Sequence, residues 1–413
     1  MPIILKLFTL FQFCFQHFHQ TKFLLYCALI FGCSISAYAI LLFLKRSGHK
    51  HLHPAIGKFL FVNAEKSDSN ALQMGGIPFA LISMISISLL FGYFPYLISE
   101  HHAQILHYAS YSWVGILVYG YLDDRFEIRP IVKLASQLLL NSFFCLKASQ
   151  VIFPENSAEA FLIMVFLSTA IVNGSNLIDG LDTLSYKVSS TIYFAFIVLA
   201  APVLNLTALF IAMACFCIMS GFYFFNKEPS KIHLGEVGVS CLGFSYIVLA
   251  VLTFDAYKNF NPTLSAMSKA LFPCVLPLVE LSISFFRRLL SGKSPFKGDK
   301  LHVHHILHEV NGFSVSNASS IIAGAYLIFL LIGFMIMDPY SSIVAFFVLV
   351  FLTVSWCLFL GRKYWFKGEM KINIFEFLLV KKEVRIISST SLSDFKIILN
   401  DKKTSLEKKE NRN

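Results

Sequence analysis

Apolar residues occupy the chain in long blocks divided by short polar loops, and the length of the blocks sets the first expectation. Stretches of about 20 apolar residues, enough to cross a hydrocarbon core of roughly 30 Å, recur along the chain. They lie near 22–44, 75–99, 103–121, 132–149, 159–178, 188–204, 205–225, 237–254, 264–286, 318–337 and 341–360. The pattern predicts an all-α polytopic membrane protein with eleven transmembrane helices. The fourth block is the weakest, because Gln137 and Asn141 interrupt it. Residues 1–21 are also apolar, but Gln12, Gln16, His17 and His19 break them up, so they read as a lead-in rather than a span. The small-residue run "SAYA" at 36–39 would suit signal-peptide cleavage. The apolar run continues past it to Leu44 and then meets Lys45 and Arg46, which favours a retained span. The expected organisation is therefore a lead-in (1–21), a membrane domain (22–360) and a basic tail (361–413).

Composition agrees. The 413 residues are 56% hydrophobic and 14% charged, and a soluble domain of that size would leave too much apolar surface in water. The net charge of +10 has a topological explanation. Of 34 Lys and Arg, 29 fall in 45–74, 122–133, 173–187, 226–236, 287–317 and the tail from 361. The positive-inside rule makes that set of loops cytoplasmic. The charge then speaks of anionic lipid and anionic substrates; no aromatic–basic interleaving points to nucleic acid. The nine Cys all sit in apolar stretches without a C-x-x-C pair and read as small core hydrophobes.

The chemistry gathers in the cytoplasmic loops. "GYLDDRFEI" (120–128) sets Asp123 and Asp124 side by side, with Glu127 three residues on. Alone, such a loop could simply be a solvated span end. "NGSNLIDGLDTLS" (173–185) repeats Asn173, Asn176, Asp179 and Asp182 at intervals of three, one face of a helix, with Gly174 and Gly180 allowing close backbone approach. Its simpler reading is an Asx-rich cap. "HLGEVG" (233–238) holds Glu236 between glycines, a pattern common in turns. "DKLHVHHIL" (299–307) clusters His302, His304 and His305 beside Lys297 and Lys300. The absence of thiolates and of H-x-x-x-H spacing argues for an anionic phosphate rather than zinc. Carboxylates prefer a hard cation such as magnesium. Together, acids and bases suit a reaction between two phosphates, whose mutual repulsion must be neutralised first.

With those residues in view, the chain resembles the polyprenyl-phosphate N-acetylhexosamine-1-phosphate transferases, the WecA/TagO/MraY family. "DDRFEIRPIVKLASQ" is similar to that family's D-D-x-x-D-L with a following Lys, here Lys133. "NGSNLIDGLDTLS" is similar to N-x-x-N-x-x-D-G-L-D-G-L, "GEVG" to G-D-x-G-S, and "DKLHVHH" to D-R-x-H-x-H-H, the form of the WecA/TagO branch. The resemblance spans roughly 70–310 by motif and to 360 by span count. It implies transfer of a sugar 1-phosphate, with N-acetylglucosamine 1-phosphate favoured, from a UDP-sugar to undecaprenyl phosphate. UMP would be released, as the first step of a cell-surface polysaccharide at the bacterial inner membrane.

By position, the resemblance implies catalytic roles for Asp123, Asp124, Asp179, His302, His304 and His305. It implies substrate contacts from Asn173, Asn176, Gly180, Leu181, Asp182, Lys133, His233 and Lys300. It also implies magnesium, with manganese as the stand-in, on Glu236, Asp179 and Asp123. The implied partners are undecaprenyl phosphate, a UDP-N-acetylhexosamine and the lipid bilayer, with a homodimer as one assembly and no nucleic acid.

This sequence departs from the pattern at several places. Glu127 and Glu236 stand for Asp, Val239 for Ser, Thr183 for Gly, His233 for a uracil-stacking Phe, and Lys300 for Arg. The Pro and base expected before the glycine pair of "MGGIPF" (74–79) are replaced by "SNALQ" (69–73), with Lys66 the nearest base. A relative with altered donor preference or weakened activity is thus one competing reading. A transporter or flippase is another; it would place ionisable groups at span centres and break helices there. Only Glu280 does so here. A scaffold acting through the basic tail is the third.

The loop charges make a direct prediction. In a background freed of reactive native Cys, Ser294→Cys should resist an impermeant thiol reagent in intact cells and react in inverted vesicles. Asn261→Cys should do the reverse. Labelling of position 294 from outside would overturn the topology.

Overall fold

The computed structural model describes residues 20–46, 71–295, 299–337 and 341–365. Most of the lead-in, the tail from 366, Lys66 and Lys297 lie outside the described residues. The described chain is a helical bundle. Its helices are α1 (Gln20–Arg46), α2 (Gly76–Tyr93), α3 (Glu100–Phe126), α4 (Pro130–Ile152), α5 (Ser157–Ile178) and α6 (Leu184–Ala200). They continue with α7 (Leu206–Asn226), α8 (Gly235–Tyr257), α9 (Thr263–Leu271), α10 (Val275–Leu290), α11 (Val315–Ile336) and α12 (Ser342–Trp365).

Nine segments among the described residues are long and apolar enough to cross a membrane, counting α9 and α10 together as Thr263–Leu290. The expectation was eleven. The two segments that fall short, α1 and α3, are helical but differ from the rest in composition. In α1 the apolar stretch within the described residues is Ala28–Leu42. In α3 the ends carry Glu100, His101, His102, Asp123, Asp124 and Arg125, and the interior is diluted by His107, Ser110, Ser112, Tyr108, Tyr111, Tyr119 and Tyr121. "SAYA" lies inside the continuous helix α1.

α8 is the axis of the bundle. Residues 237–255 are all buried, and α2, α3, α5, α6 and α9 pack around them. A helix apolar on all faces has no solvent side to present, so it takes the centre. Lipid tails are as apolar as its side chains, so close packing and hydrogen bonds must hold the neighbours. Both are present. Tyr193 and Ser245 hydroxyls meet at 2.7 Å, Tyr246 donates to Ser189 at 2.6 Å, and Asn205 donates to the Leu252 carbonyl at 2.9 Å. Gly76 of α2 crosses Gly238 of α8 so tightly that a Cβ on Gly76 would overlap the Gly238 backbone.

The alternation of helix ends sorts the loops onto two faces. One face gathers the end of α3, the start of α4, the end of α5, the start of α6, the end of α7, the start of α8 and the end of α10. These are the loops that the charge count assigned to one side. A two-residue parallel ladder also sits there, pairing Leu72 with Ile232 and Gln73 with His233, a small addition to an otherwise helical fold. On the other face, Asp255 holds His102 at 3.3 Å and Lys258 at 2.8 Å, tying α3 to α8.

The ninth predicted span is broken. A 3-10 turn at Phe272–Cys274, built around Pro273, separates α9 from α10. Pro lacks the donor that a continuous helix would use there.

The glycine crossing predicts that Gly76→Val destabilises the protein by about 1–3 kcal/mol through overpacking. Thermal unfolding in detergent measures it, and an unchanged midpoint would show that α2 can shift freely on α8.

Candidate functional site

The charged loops converge on a cavity of about 310 Å³ at that end of α8, within the range of small-molecule sites. Asp124, Asn176, Asp179, Gly180, Leu181, Asp182, His233 and Glu236 line it. Gln73, Gly235 and Val239 complete the wall; none of the three was a predicted site residue.

The two adjacent aspartates have separate tasks, because neighbours on a helix point about 100° apart. Asp123 is buried, accepts the Ile128 N–H at 2.8 Å and lies 3.1 Å from the Lys133 ammonium. It fixes the turn that leaves α3, where Glu127 adopts a left-handed backbone with φ +50°. Asp123 therefore stands behind the cavity wall. Asp124 faces the amino end of α8 and accepts the N–H of Glu236 at 2.7 Å and of Val237 at 3.2 Å. Unsatisfied N–H groups and the helix dipole favour an anion at that end. Gly235 completes the fit: its φ is +70°, and a Cβ would press on the Asp124 carboxylate and the Gln73 carbonyl. Asp124 lies past the apolar run 103–121, and burial outweighs its two backbone hydrogen bonds, lifting its carboxyl to about 7.

Glu236 accepts both hydrogen bonds of the Asn176 amide, at 3.0 and 2.9 Å, and is bridged by Lys133. Lys133 thus joins Asp123 to Glu236. Asp179 ends α5, where burial raises its pKa although the Ser185 hydroxyl donates to it. Asp182 accepts the Ser230 N–H at 3.0 Å, and its other oxygen lies 3.7 Å from His233 Nδ1. Asn226, missed in the sequence, is the joint behind this wall. It accepts the Thr183 N–H at 2.8 Å and donates to the Ile232 carbonyl at 3.0 Å, so it ties the Asp182 turn to the strand carrying His233. An amide at the end of an apolar helix gives no local sign of such a role.

The histidine loop backs the cavity rather than lining it. His302 is buried and held on both ring nitrogens: Nδ1 lies 3.2 Å from the Ser284 hydroxyl, and Nε2 lies 3.4 Å from Arg288. Glu280, the acid at a span centre, lies 3.8 Å from the same Nδ1. His304 stacks parallel on His302 with centroids 5.5 Å apart. Its Nε2 is buried without a hydrogen-bond partner among the described residues and points at Gly180, where any Cβ would strike the ring. Burial lowers the His304 pKa, so the imidazole is neutral. His305 pairs with Glu309 at 3.1 Å.

Arg287 forms two hydrogen bonds to Asp299, at 2.8 and 2.9 Å, and Arg288 adds a third at 3.2 Å. Burial alone would raise the Asp299 pKa, but these bonds hold it well below the usual carboxylate range. This fork anchors the loop. Of the other predicted site residues, Asn173 donates to Gln137 at 2.7 Å inside the bundle, and Lys300 is exposed, 3.9 Å from Glu309. Neither lines the cavity.

The donor set around the cavity is carboxylate and amide oxygen, which suits a hard divalent cation. Among the described residues, no three of these groups already converge as metal ligands, and Lys133 bridges two of the acids instead.

Comparison with known proteins follows the same loops. Residues 106–254 match the family profile described as Glycosyl transferase family 4. Over 291 residues, 64% of this chain and 76% of the relative, the chain is 26% identical to the undecaprenyl-phosphate alpha-N-acetylglucosaminyl 1-phosphate transferase of Yersinia pestis. It is 29% identical over 235 residues to the probable undecaprenyl-phosphate N-acetylglucosaminyl 1-phosphate transferase of Bacillus subtilis, covering 53% of this chain and 60% of that one. A phospho-N-acetylmuramoyl-pentapeptide-transferase of Thermoanaerobacter is 28% identical over 279 residues, 60% of this chain and 78% of its own. The resemblance read from the motifs is borne out. The profile covers the acids from Asp123 to Glu236 and stops short of the histidine loop.

Thr183, which stands where the resembled motif has Gly, adopts φ +64°, and its buried hydroxyl has no hydrogen-bond partner among the described residues. A β-branched side chain is strained there. Thr183→Gly should raise stability by about 1 kcal/mol, net of the entropy that glycine adds to the unfolded chain. Thermal unfolding in detergent tests this; a lowered midpoint would mean that the packing of Thr183 outweighs the strain.

Proposed function

We propose that this cavity transfers N-acetylhexosamine 1-phosphate, preferentially N-acetylglucosamine 1-phosphate, from a UDP-sugar to undecaprenyl phosphate, releasing UMP. The observation that carries the reading is the ring of Asp124, Asp179, Asp182 and Glu236 at one end of an apolar bundle. A water-soluble diphosphate can enter from the polar end while a lipid phosphate arrives from the bilayer. The Yersinia and Bacillus relatives, as N-acetylglucosaminyl 1-phosphate transferases, and the H-x-H-H spacing support this transferred group. The loop charges support cytoplasmic entry, where UDP-sugars are made.

Two phosphates repel each other by about 4 kcal/mol per pair of unit charges at 4 Å and an effective dielectric of 20. Magnesium, held by Asp179 and Glu236 with Asp124 beside them, would supply the neutralising charge. The residues of the chain do the remaining work. Asp182 and His233 flank the space for the uracil, and Gly180, whose Cβ would strike His304, lets the histidine loop close against the cavity wall. Neutral His304 offers its Nε2 as a hydrogen-bond partner behind that glycine. Lys133 holds Asp123 and Glu236 at fixed separation, so the lipid phosphate meets a preset field. The broken ninth span and Glu280 are features that a transporter would share, but Glu280 turns to His302 and so serves the same loop.

Purified protein with undecaprenyl phosphate, magnesium and a panel of UDP-sugars should release UMP and form the lipid product with UDP-N-acetylglucosamine. Asp124→Asn should lower turnover by about 10²-fold or more, because it loses charge at constant volume. Glu236→Asp should keep activity, whereas Glu236→Gln should raise the magnesium requirement. Absence of UMP with every donor would overturn the reaction, and an unchanged magnesium dependence in Glu236→Gln would remove that residue from the metal.

A further inference from the structure

At the opposite end of the bundle, the last turns of α2, the first turns of α3 and the outer part of α4 enclose a groove of about 950 Å³. It exists because α2 and α3, although joined by a short turn, both pack more extensively on α8 than on each other. Ile87 and Phe91 give it an apolar wall, while Gln104, His107, Tyr108 and Lys147 give it a polar one.

Lys147 is the unusual member. It is half-buried and sits five residues before the end of α4, about 7.5 Å inside the span. Its ammonium lies 5.8 Å from the Tyr108 ring centroid. No carboxylate is within ion-pair distance of it among the described residues, in contrast to Lys258, which rests 2.8 Å from Asp255. The groove contains no acid. Glu100, on the same stripe of α3 as Gln104, is exposed at the helix start and does not line it. A cation on the lipid-facing side of a span is costly unless something pairs with it. The protein offers an aromatic face and an amide but no negative charge.

We infer that this groove binds an anionic glycerophospholipid in the leaflet opposite the catalytic cavity. Its acyl chain lies along Ile87 and Phe91, and its phosphate meets Lys147 and Gln104. A zwitterionic lipid brings its own ammonium to the same place and gains less. A second copy of the chain docked through this face by two-fold symmetry would bring one Lys147-bearing groove against the other, like charge on like. A polyprenyl phosphate would have its phosphate on the wrong side for the proposed reaction.

The test is binding and stability, independent of turnover. Delipidated full-length protein in neutral detergent is titrated with phosphatidylglycerol, phosphatidylcholine or undecaprenyl phosphate, and its unfolding midpoint and retained lipid by native mass spectrometry are recorded. Phosphatidylglycerol should raise the midpoint by a few degrees more than phosphatidylcholine and remain as one tightly retained molecule per chain. Lys147→Gln should abolish that difference, and Lys147→Arg should preserve it. Equal shifts with both phospholipids, or a difference that survives in Lys147→Gln, would overturn the assignment. A Lys147-dependent shift from undecaprenyl phosphate alone would give the groove to the polyprenyl lipid. Concentration-dependent dimerisation lost in Lys147→Gln, without retained phospholipid, would give it to a second copy.

Discussion

The carboxylate of Asp124 resting on the first N–H groups of α8 is the interaction on which the site depends. α8 is buried along its length, so its amino end is a cluster of unsatisfied donors at the edge of an apolar medium. One anion there closes α3 onto α8 and at the same time turns Glu236 toward Asn176 and Lys133. Gly235 has no side chain because the Asp124 carboxylate occupies the space that one would need. The positions of Asp124 and Glu236 in the ring follow from that contact, and Asp179 and Asp182 are set by Ser185 and the Ser230 N–H.

Negative charge concentrated in this way is unfavourable when nothing answers it, and the structure answers it only in part. Lys133 spans two acids, and His233 approaches a third. Asp124 and Asp179 carry raised carboxyl pKa values because burial disfavours their charged forms. A cavity built of hard oxygen donors with too little positive charge agrees with the cation and phosphate substrate proposed for it. The rigid surroundings matter as much as the acids. Asn226 fixes the Asp182 turn to the His233 strand, and the Arg287–Asp299 fork fixes the histidine loop, so both walls are held by contacts within the chain.

The two ends of the bundle are built on different chemistry. At the end that holds the acidic cavity the acids outnumber the bases that line it, and the backbone is held by short polar contacts. At the other end, Asp255 pairs with Lys258 and holds His102, while Lys147 lines a groove that contains no acid. A bundle that is polar in this asymmetric way has a defined direction across a membrane.

The sequence by itself determined the class of the protein, because twenty-residue apolar blocks have few folded alternatives and successive blocks leave their polar loops at alternating ends of the bundle. It also named most of the cavity: Asp124, Asn176, Asp179, Gly180, Leu181, Asp182, His233 and Glu236 were all legible as polar residues crowded between apolar runs. Tertiary structure decided how they divide the work. Adjacent Asp123 and Asp124 look equivalent in sequence, yet a rotation of about 100° sends one behind the wall and the other into it. Asn173 and Asn176, three apart, part in the same way, one toward Gln137 and the other toward Glu236. The roles of Asn226, Arg287, Arg288 and Ser185 depend on partners distant in sequence or on a loop's return path, and no local pattern records those. The count of spans was blurred for a related reason. α3 is diluted along its interior by His107, Ser110, Ser112, Tyr108, Tyr111, Tyr119 and Tyr121, which lowers the apolar signal that identifies a span.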